Sequence, residues 1–485
     1  MSISPRPAES EKDQGAGQSY EKLDAASPIE RVELVLRLIE EHPQSRLELP
    51  ARGASQAVLD GIDMSEPALE GQRGQAGPSA LWWDAVRRGV NLRRADLRGA
   101  GLSLANLSAA DLAEADLRKA VLRGANLHGA RLEEAKLQGA DLAGADLRGA
   151  VLGGADLGGA MLEDANLQGA SLRFVHGQGA VLESANLQTA DLWGARLEGA
   201  VLTGADLKNA ILAEADLRGA DLTGADLRGA LLGQADLRGA RLQGADLRGA
   251  NLTRVNLEGA VLKDAKLQGT VLSDCNLTHV HVSGADFDKA QFRREQLGNA
   301  IGEELAGQFE EARRGYLALE RHFIDLGDSD AISWAYRKRR RMQKRVAWEE
   351  ARTARARGEW RGAGAWYGTY VGDQLTEWLS DYGESAPRVL GCLLAVYLVF
   401  LLLYALTGSV VRVTYSPTGE MSRVPTQSLA DLAVFTLFSM ITSSQPPAGL
   451  LPADEYARLL TGVQALLGMV LTGLLGFVMG NRMSR

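Results

Sequence analysis

The 485-residue sequence is poor in the features that announce a chemistry. It has only two cysteines, Cys275 and Cys392. The first stands at an alanine position of a repeat and the second in an apolar run, so neither a disulfide framework nor a cysteine metal site is expected. No P-loop, dinucleotide fingerprint, nucleophile elbow or zinc-enzyme motif occurs. We therefore expect no enzyme and no cofactor. The pair His279 and His281 has no carboxylate or cysteine cluster close by in sequence and reads as incidental. The net charge is −8, too modest for chain-wide attraction to nucleic acid or anionic lipid. The N-terminus lacks the charged-then-apolar pattern of a signal peptide.

What is abundant is one five-residue phrase, repeated about forty times between Val90 and Phe292, as in Ala95-Asp96-Leu97-Arg98-Gly99. Leu, or occasionally Val or Phe, holds positions whose numbers end in 2 or 7, with Gly177 the exception. Ala or another small or β-branched residue holds numbers ending in 0 or 5. A helix cannot carry this period, because five residues at about 100° each scatter the leucines around the axis. A plain strand has period two. Locally, Ala and the Leu two residues on share one face, as in a strand, and the remaining residues must turn the chain. One turn every five residues closes a coil after about four sides. About ten coils stacked at ~4.8 Å make a rod of about 50 Å filled with Ala and Leu.

These residues closely resemble the pentapeptide-repeat family, whose signature is A(D/N)LXX. The resemblance implies a mainly β solenoid, a right-handed quadrilateral β-helix over residues 90–293. Fold alone carries no function. On the outer surface, numbers ending in 6 are Asp or Asn almost throughout, as in Asp96, Asn106, Asp116, Asn126, Asp146, Asp216 and Asp246. Positions ten apart lie on opposite sides, so two opposite faces read as acidic. The other two carry scattered apolar residues: Val121, Val151, Met161, Val181, Val201, Ile211, Leu231, Val261 and Val271. Such residues suit a strand, and they are also where the rod would pack on a cytoplasmic protein partner. Some family members resemble DNA and bind topoisomerases. Here Asp and Arg flank the same inward Leu and cancel, and over 90–292 acids exceed bases by only five. A nucleic-acid-like surface needs a sustained field, so DNA mimicry is the weaker reading, and no nucleic-acid partner is expected.

Before the rod, residues 1–27 read as a disordered tail. Residues 28–89 read as a helix and the cap a solenoid end requires, with Ile29–Glu41 amphipathic and Trp82 and Trp83 just ahead of the first coil. After it, residues 294–385 read as cytoplasmic helices. Spans 303–326 and 329–357 are paired as an α-hairpin, and the basic run Arg337–Arg341 is read as a solvated face, with headgroup or subunit contact as the alternative. Trp360, Trp366, Tyr367, Tyr370, Trp378 and Tyr382 fit a helix at a membrane–water boundary.

Residues 386–485 hold two uncharged runs, about 389–407 and 459–480, each long enough to cross a bilayer. Lys and Arg crowd the segment before the first and follow the second at Arg482 and Arg485. Both termini and the rod are thus placed in the cytoplasm, and the chain as multi-pass in the cytoplasmic (inner) membrane, with lipid as a partner. Between the runs, about 428–441 is apolar but too short to cross, a candidate re-entrant helix. An irregular strip, 442–452, follows it.

The short helix ending Phe438-Ser439-Met440-Ile441-Thr442, the Pro452 closing the strip and the glycine-bearing second run resemble the two-span ion channels of bacterial potassium-channel type. The Asp381-Tyr382-Gly383-Glu384 lead-in is similar to that of pentapeptide-repeat proteins fused to such channels. The resemblance implies a homotetramer with the second span lining a pore for inorganic ions. Gly468 or Gly473 then serves as a gating hinge or, as span glycines more often do, for close helix packing. The filter position departs from the family's Thr-x-Gly-Tyr-Gly-Asp. Thr442, Ser443, Ser444, Gln445, Pro446, Pro447, Ala448 and Gly449 stand there. Proline fixes φ and cannot aim carbonyls at a dehydrated potassium ion, so no potassium selectivity is expected. Two alternatives stay open: an inert loop, and a non-conducting membrane-tethered scaffold.

Overall fold

A computed structural model describes residues 92–415, 421–441 and 449–483, and the chain divides into two compact units, residues 1–325 and 326–485. The expected tail and cap at 1–89 lie outside the described residues.

In the first unit, residues 96–291 form four ladders of parallel bridges in which each residue pairs with the one twenty positions on. Asp96 with Asp116, Gly101 with Val121, Asn106 with Asn126 and Asp111 with Arg131 begin the ladders. Twenty residues therefore make one coil of four five-residue sides, and each side contributes a single bridging residue rather than an extended strand.

Backbone accounting explains the phrase. Leu97 N–H donates to Asp116 O (2.7 Å) and Gly99 N–H to Arg118 O (3.0 Å) in the next coil, while Asp116 N–H donates back to Ala95 O (2.8 Å). Ala100 N–H closes the turn on Leu97 O at 3.1 Å. The one amide left, Arg98 N–H, donates to the Asp96 carboxylate at 3.4 Å. The same side-chain bond to the amide two residues on recurs from Asn106, Asp146, Asn186 and Asp246. Asp and Asn thus recur for a local reason: they satisfy a backbone donor that a coil cannot. Inside, the Leu and Ala rows are buried along the ladders. Where Gly177 replaces a leucine, Leu197 leans over, its Cδ2 2.9 Å from where a Cβ at 177 would be.

The surface carboxylates are also gripped by their own arginines. Arg98, Arg148, Arg218 and Arg248 each hold the aspartate two residues earlier in a two-point pair. Those bonds hold Asp96, Asp146, Asp216 and Asp246 below the usual carboxylate range. A carboxylate depressed in the folded state contributes stability above its unfolded pKa and loses it as pH falls through the folded one. The β transition of the full chain, followed by circular dichroism, is therefore expected to hold its Tm from pH 8 to about 5 and to fall below about pH 4. A Tm unchanged at pH 3 would show that the clips contribute nothing.

At the far end, the core side chains Phe287 and Phe292 replace leucine, as the sequence suggests, and Phe292 stacks on His322 at 4.1 Å. Gln296 Nε2 donates to Leu272 O (2.7 Å) and Cys275 O (3.1 Å). A short helix α1 (Gly302–Leu305) and a longer α2 (Phe309–Leu326) follow. The sequence favours one helix from 303. The break comes at 306–308, where Gly307 is left-handed at φ +72.

In the second unit, α3 (Ser329–Ala356), capped by Asp328 on Ala331 N–H, is followed by α4 (Trp360–Ser380). α3 runs antiparallel to α4, with Arg340 against Asp373 and Lys344 against Glu377. Then come α5 (Ala386–Thr407), β1 (Val410–Tyr415), β2 (Met421–Pro425), α6 (Leu429–Ile441), β3 (Leu450–Pro452) and α7 (Glu455–Met483). The sheet order is β2-β1-β3, all antiparallel, with Val411 opposite both Pro425 and Leu451. The prolines at 425 and 452 sit on edge strands, where a missing donor is tolerated.

Candidate functional site

The second unit gathers α5, α6 and α7 around one buried polar node. A core of Phe400, Tyr404, Val410, Leu432, Phe435 and Leu450 packs α5, α6 and the sheet together. Gln464 of α7 lies within it, fully buried. Tyr404 Oη donates to Gln464 Oε1 (2.9 Å), and Gln464 Nε2 donates to Thr436 O (2.9 Å). One amide therefore ties all three helices, and the Tyr404 ring stands edge-on to Phe435 at 5.3 Å. Asp431, in the first turn of α6, accepts from Arg412 (2.5 Å) and Thr426 (2.9 Å). That charge also suits the positive helix end. Sequence reasoning missed Gln464 and Tyr404. The available signal was an amide side chain in an otherwise apolar run.

α5 and residues 455–480 of α7 are long and apolar enough to cross a membrane, and α6 is a shorter apolar helix. Much of the outward surface is large and apolar, including Leu390, Leu394, Leu398, Leu402, Val463, Leu466 and Val470. Of the expected filter residues, Thr442, Ser443, Ser444, Gln445, Pro446, Pro447 and Ala448 lie outside the described residues. Gly449 is left-handed at φ +102, and its carbonyl accepts from Val413 N–H at 2.6 Å. The two glycines considered for a hinge differ. α7 is one unbroken helix through both. A Cβ at Gly468 would meet the carbonyl of Met440, so Gly468 is a packing glycine, whereas nothing lies within 4 Å of one at Gly473.

The basic run of α3 is not a solvated face. Arg340 meets Asp373 at 2.6 Å, Arg341 meets Glu377 at 3.0 Å, and Lys344 also pairs with Glu377. Burial pushes the Asp373 carboxyl up, while Lys344 and Arg341 hold Glu377 low against its own burial. Beyond α4, Asp381, Tyr382 and Gly383 are three successive left-handed residues at φ +52, +61 and +86. Asp381 faces Arg337, Arg341 and Arg388 at 3.7, 3.5 and 3.8 Å, and Glu384 accepts from Ser333 at 2.6 Å. The lead-in to α5 is thus a bonded elbow.

On the rod, the apolar positions divide between two opposite ladders. Val121, Met161, Val181, Val201 and Val261 stand on one, and Val151, Ile211, Leu231 and Val271 on the other. Val121, Ile211 and Leu231 are exposed and the rest half-buried. Sequence reasoning missed a neighbouring aromatic pair. Phe174, exposed and left-handed, meets Trp193 edge-on at 4.6 Å, and Arg173 covers the Trp193 ring. Phe174 occupies the space a Cβ on Gly194 would need. Among the described residues no cluster of His, Cys, Asp and Glu could hold a metal ion.

Comparison with known proteins agrees with this geometry for the rod. The model of pentapeptide repeats matches in eight copies, over residues 100–139, 140–175, 180–219, 215–254 and 256–294. It skips 176–179, where Gly177 interrupts the leucines. HetL, a pentapeptide repeat protein involved in heterocyst differentiation regulation from the cyanobacterium Nostoc sp. strain PCC 7120, is 35% identical. The match covers 42% of this chain and 84% of that one, with a TM-score of 0.34. Rfr23, from the cyanobacterium Cyanothece 51142, is 31% identical over 23% of this chain and 64% of its own, with a TM-score of 0.14. QnrB1, a plasmid-mediated fluoroquinolone resistance protein, is 19% identical over 37% and 92%, with a TM-score of 0.24. No curated protein matches the chain significantly. The family-model match and the 35% identity to HetL over 84% of its length place the chain, through residues 100–294, in the pentapeptide-repeat family.

Proposed function

We propose that the chain is one subunit of an oligomeric membrane ion channel, tetrameric by preference and not potassium-selective. The pentapeptide rod then serves assembly, partner sensing or gating. The observation that carries this reading is the placement of α6. Its thirteen residues span only about 20 Å, too little to cross a hydrocarbon core of about 30 Å. It packs against both α5 and α7, anchored through Gln464 and closely apposed to Gly468. Irregular backbone at membrane depth needs such a protein or aqueous lining. Two spans cannot enclose a pore alone, so several copies are required.

Full-length protein in planar bilayers with ion substitution tests this. We expect conductance with little potassium-over-sodium preference, and Gln445→Glu is expected to shift the reversal potential toward cations. Silence under all voltages, tensions and osmolarities would leave the second reading, a membrane-tethered scaffold. The exposed Phe174, Ile211 and Leu231 of the rod favour that reading as a docking row. DNA mimicry draws no support from a surface whose aspartates are clipped by arginines.

A further inference from the structure

The outer face of α4 is a second surface that the described residues leave uncovered. Trp360, Val371, Leu375 and Trp378 are 67%, 52%, 50% and 68% exposed. At about 100° per residue they fall within about 60° of one another, one stripe along the helix. The helix cannot turn this stripe inward, because its other side is committed: Asp373 and Glu377 are held by Arg340, Arg341 and Lys344 of α3. Tyr370 rests on Trp348 of α3 as well, and so does Tyr367, which by the same angles stands at the edge of the stripe. Both carboxylates of the helix are thereby drawn away from the stripe, and Arg361 stands beside its first tryptophan.

We propose that α4 lies flat on the bilayer surface, with this stripe set into the boundary between headgroups and acyl chains. Three observations choose lipid as the occupant. The stripe is joined to the exposed apolar surface of α5, which begins after only the residues 381–385. The elbow between them is fixed by buried Tyr382 and Glu384, and Arg388 of α5 donates to the last-turn carbonyl of Glu377 at 3.1 Å. Trp378 is therefore held beside the membrane boundary whenever α5 spans it. The stripe then runs about 27 Å from Trp378 back to Trp360. Only a helix parallel to the membrane plane brings tryptophans at both ends to one depth, the depth where this side chain is enriched. Held so, the α3–α4 hairpin would transmit lateral movement to the first span through the elbow.

The inference rests on α5 being a span, and the test separates the two. In a Cys275→Ser, Cys392→Ser background, spin labels are attached to full-length protein at Val371→Cys, Leu375→Cys, Trp378→Cys, Thr369→Cys and Leu394→Cys. The protein is reconstituted in phosphatidylcholine–phosphatidylglycerol vesicles. Collisional accessibility to oxygen, which favours lipid, is compared with that to a water-soluble nickel chelate. Oxygen is expected to exceed nickel at 371, 375, 378 and 394, and the order to reverse at 369, on the opposite exposed side of α4. Nickel-dominated labels on the stripe with oxygen still dominant at 394 would overturn the inference alone. Stripe labels closed to both reagents and broadened by one another would overturn it in favour of a second copy as the occupant. Nickel dominance at 394 would remove the span itself, and the inference with it.

Discussion

Gly468→Leu is expected to dislodge α6 from α7 and to undo the packing of α5, α6 and α7. A Cβ at this position would overlap the Met440 carbonyl and press on its side chain. The obstacle is backbone near the end of α6, not a flexible side chain that could swing aside. Overpacking an ordinary core site costs about 1–3 kcal/mol, and a backbone obstacle places this substitution at or above the top of that range. The displaced helix would also carry Thr436 away from Gln464, freeing a buried amide. An unmade buried hydrogen bond costs about 1–3 kcal/mol, or nearer 0.6 kcal/mol when the reference state is itself in a membrane. Gly473→Leu is the control. It lies in the same helix with nothing within 4 Å of its Cβ, and leucine gains nearly 1 kcal/mol in helix propensity over glycine. Thermal stability in detergent should therefore fall for Gly468→Leu and hold for Gly473→Leu. Equal behaviour of the two variants would mean that the approach of α6 to α7 sets nothing.

The rod was legible in the sequence because one constraint repeats. Every fifth residue meets the same neighbours, so period alone yields the sides, the coil and the Ala–Leu interior. The Asp and Asn rows were legible as pattern but not as cause. They look like acidic faces until the geometry shows each oxygen accepting the amide two residues on, as Asp146 does from Arg148. Pairings between distant segments carry no period, and there sequence reasoning failed. Nothing in Arg337–Arg345 says whether those charges meet water, lipid or protein. Asp373 and Glu377 answer from about one α-hairpin away. Gln464 was likewise invisible, since a lone amide in an apolar run reads as tolerated polarity until Tyr404 and Thr436 close on it. The lengths of α5 and α7 were readable because each is a long apolar run with few charges, which composition alone displays.

The end of the rod shows how far one glycine can control a repeat. The final bridges, such as Val261 with His281 and Val271 with Gln291, leave no further coil to satisfy the backbone beyond them. α1 supplies the substitute. Gly302 N–H donates to Val280 O (2.8 Å), and the buried Glu303 carboxylate accepts from Ser283 N–H (2.7 Å). A Cβ at Gly302 would run into the His279 carbonyl and the His281 ring. Gly302 has no left-handed φ to defend, so helix propensity alone predicts that a side chain there would help. The clash predicts the reverse. Gly302→Val should lift α1 and strand Glu303, whose pKa burial already raises. Losing that buried hydrogen bond costs about 1–3 kcal/mol. Because each coil touches only its neighbours, that loss should spread inward from one end. Hydrogen exchange should then show amides of residues 261–291 losing protection while those of 121–200 keep theirs. Uniform loss along the rod would mean that it unfolds as one unit, and unchanged protection would mean that α1 does not cap it. Glu303→Gln keeps an acceptor oxygen for Ser283 and removes the buried charge, so it should leave protection at 261–291 near the wild-type level, separating the cap's hydrogen bond from its ionisation.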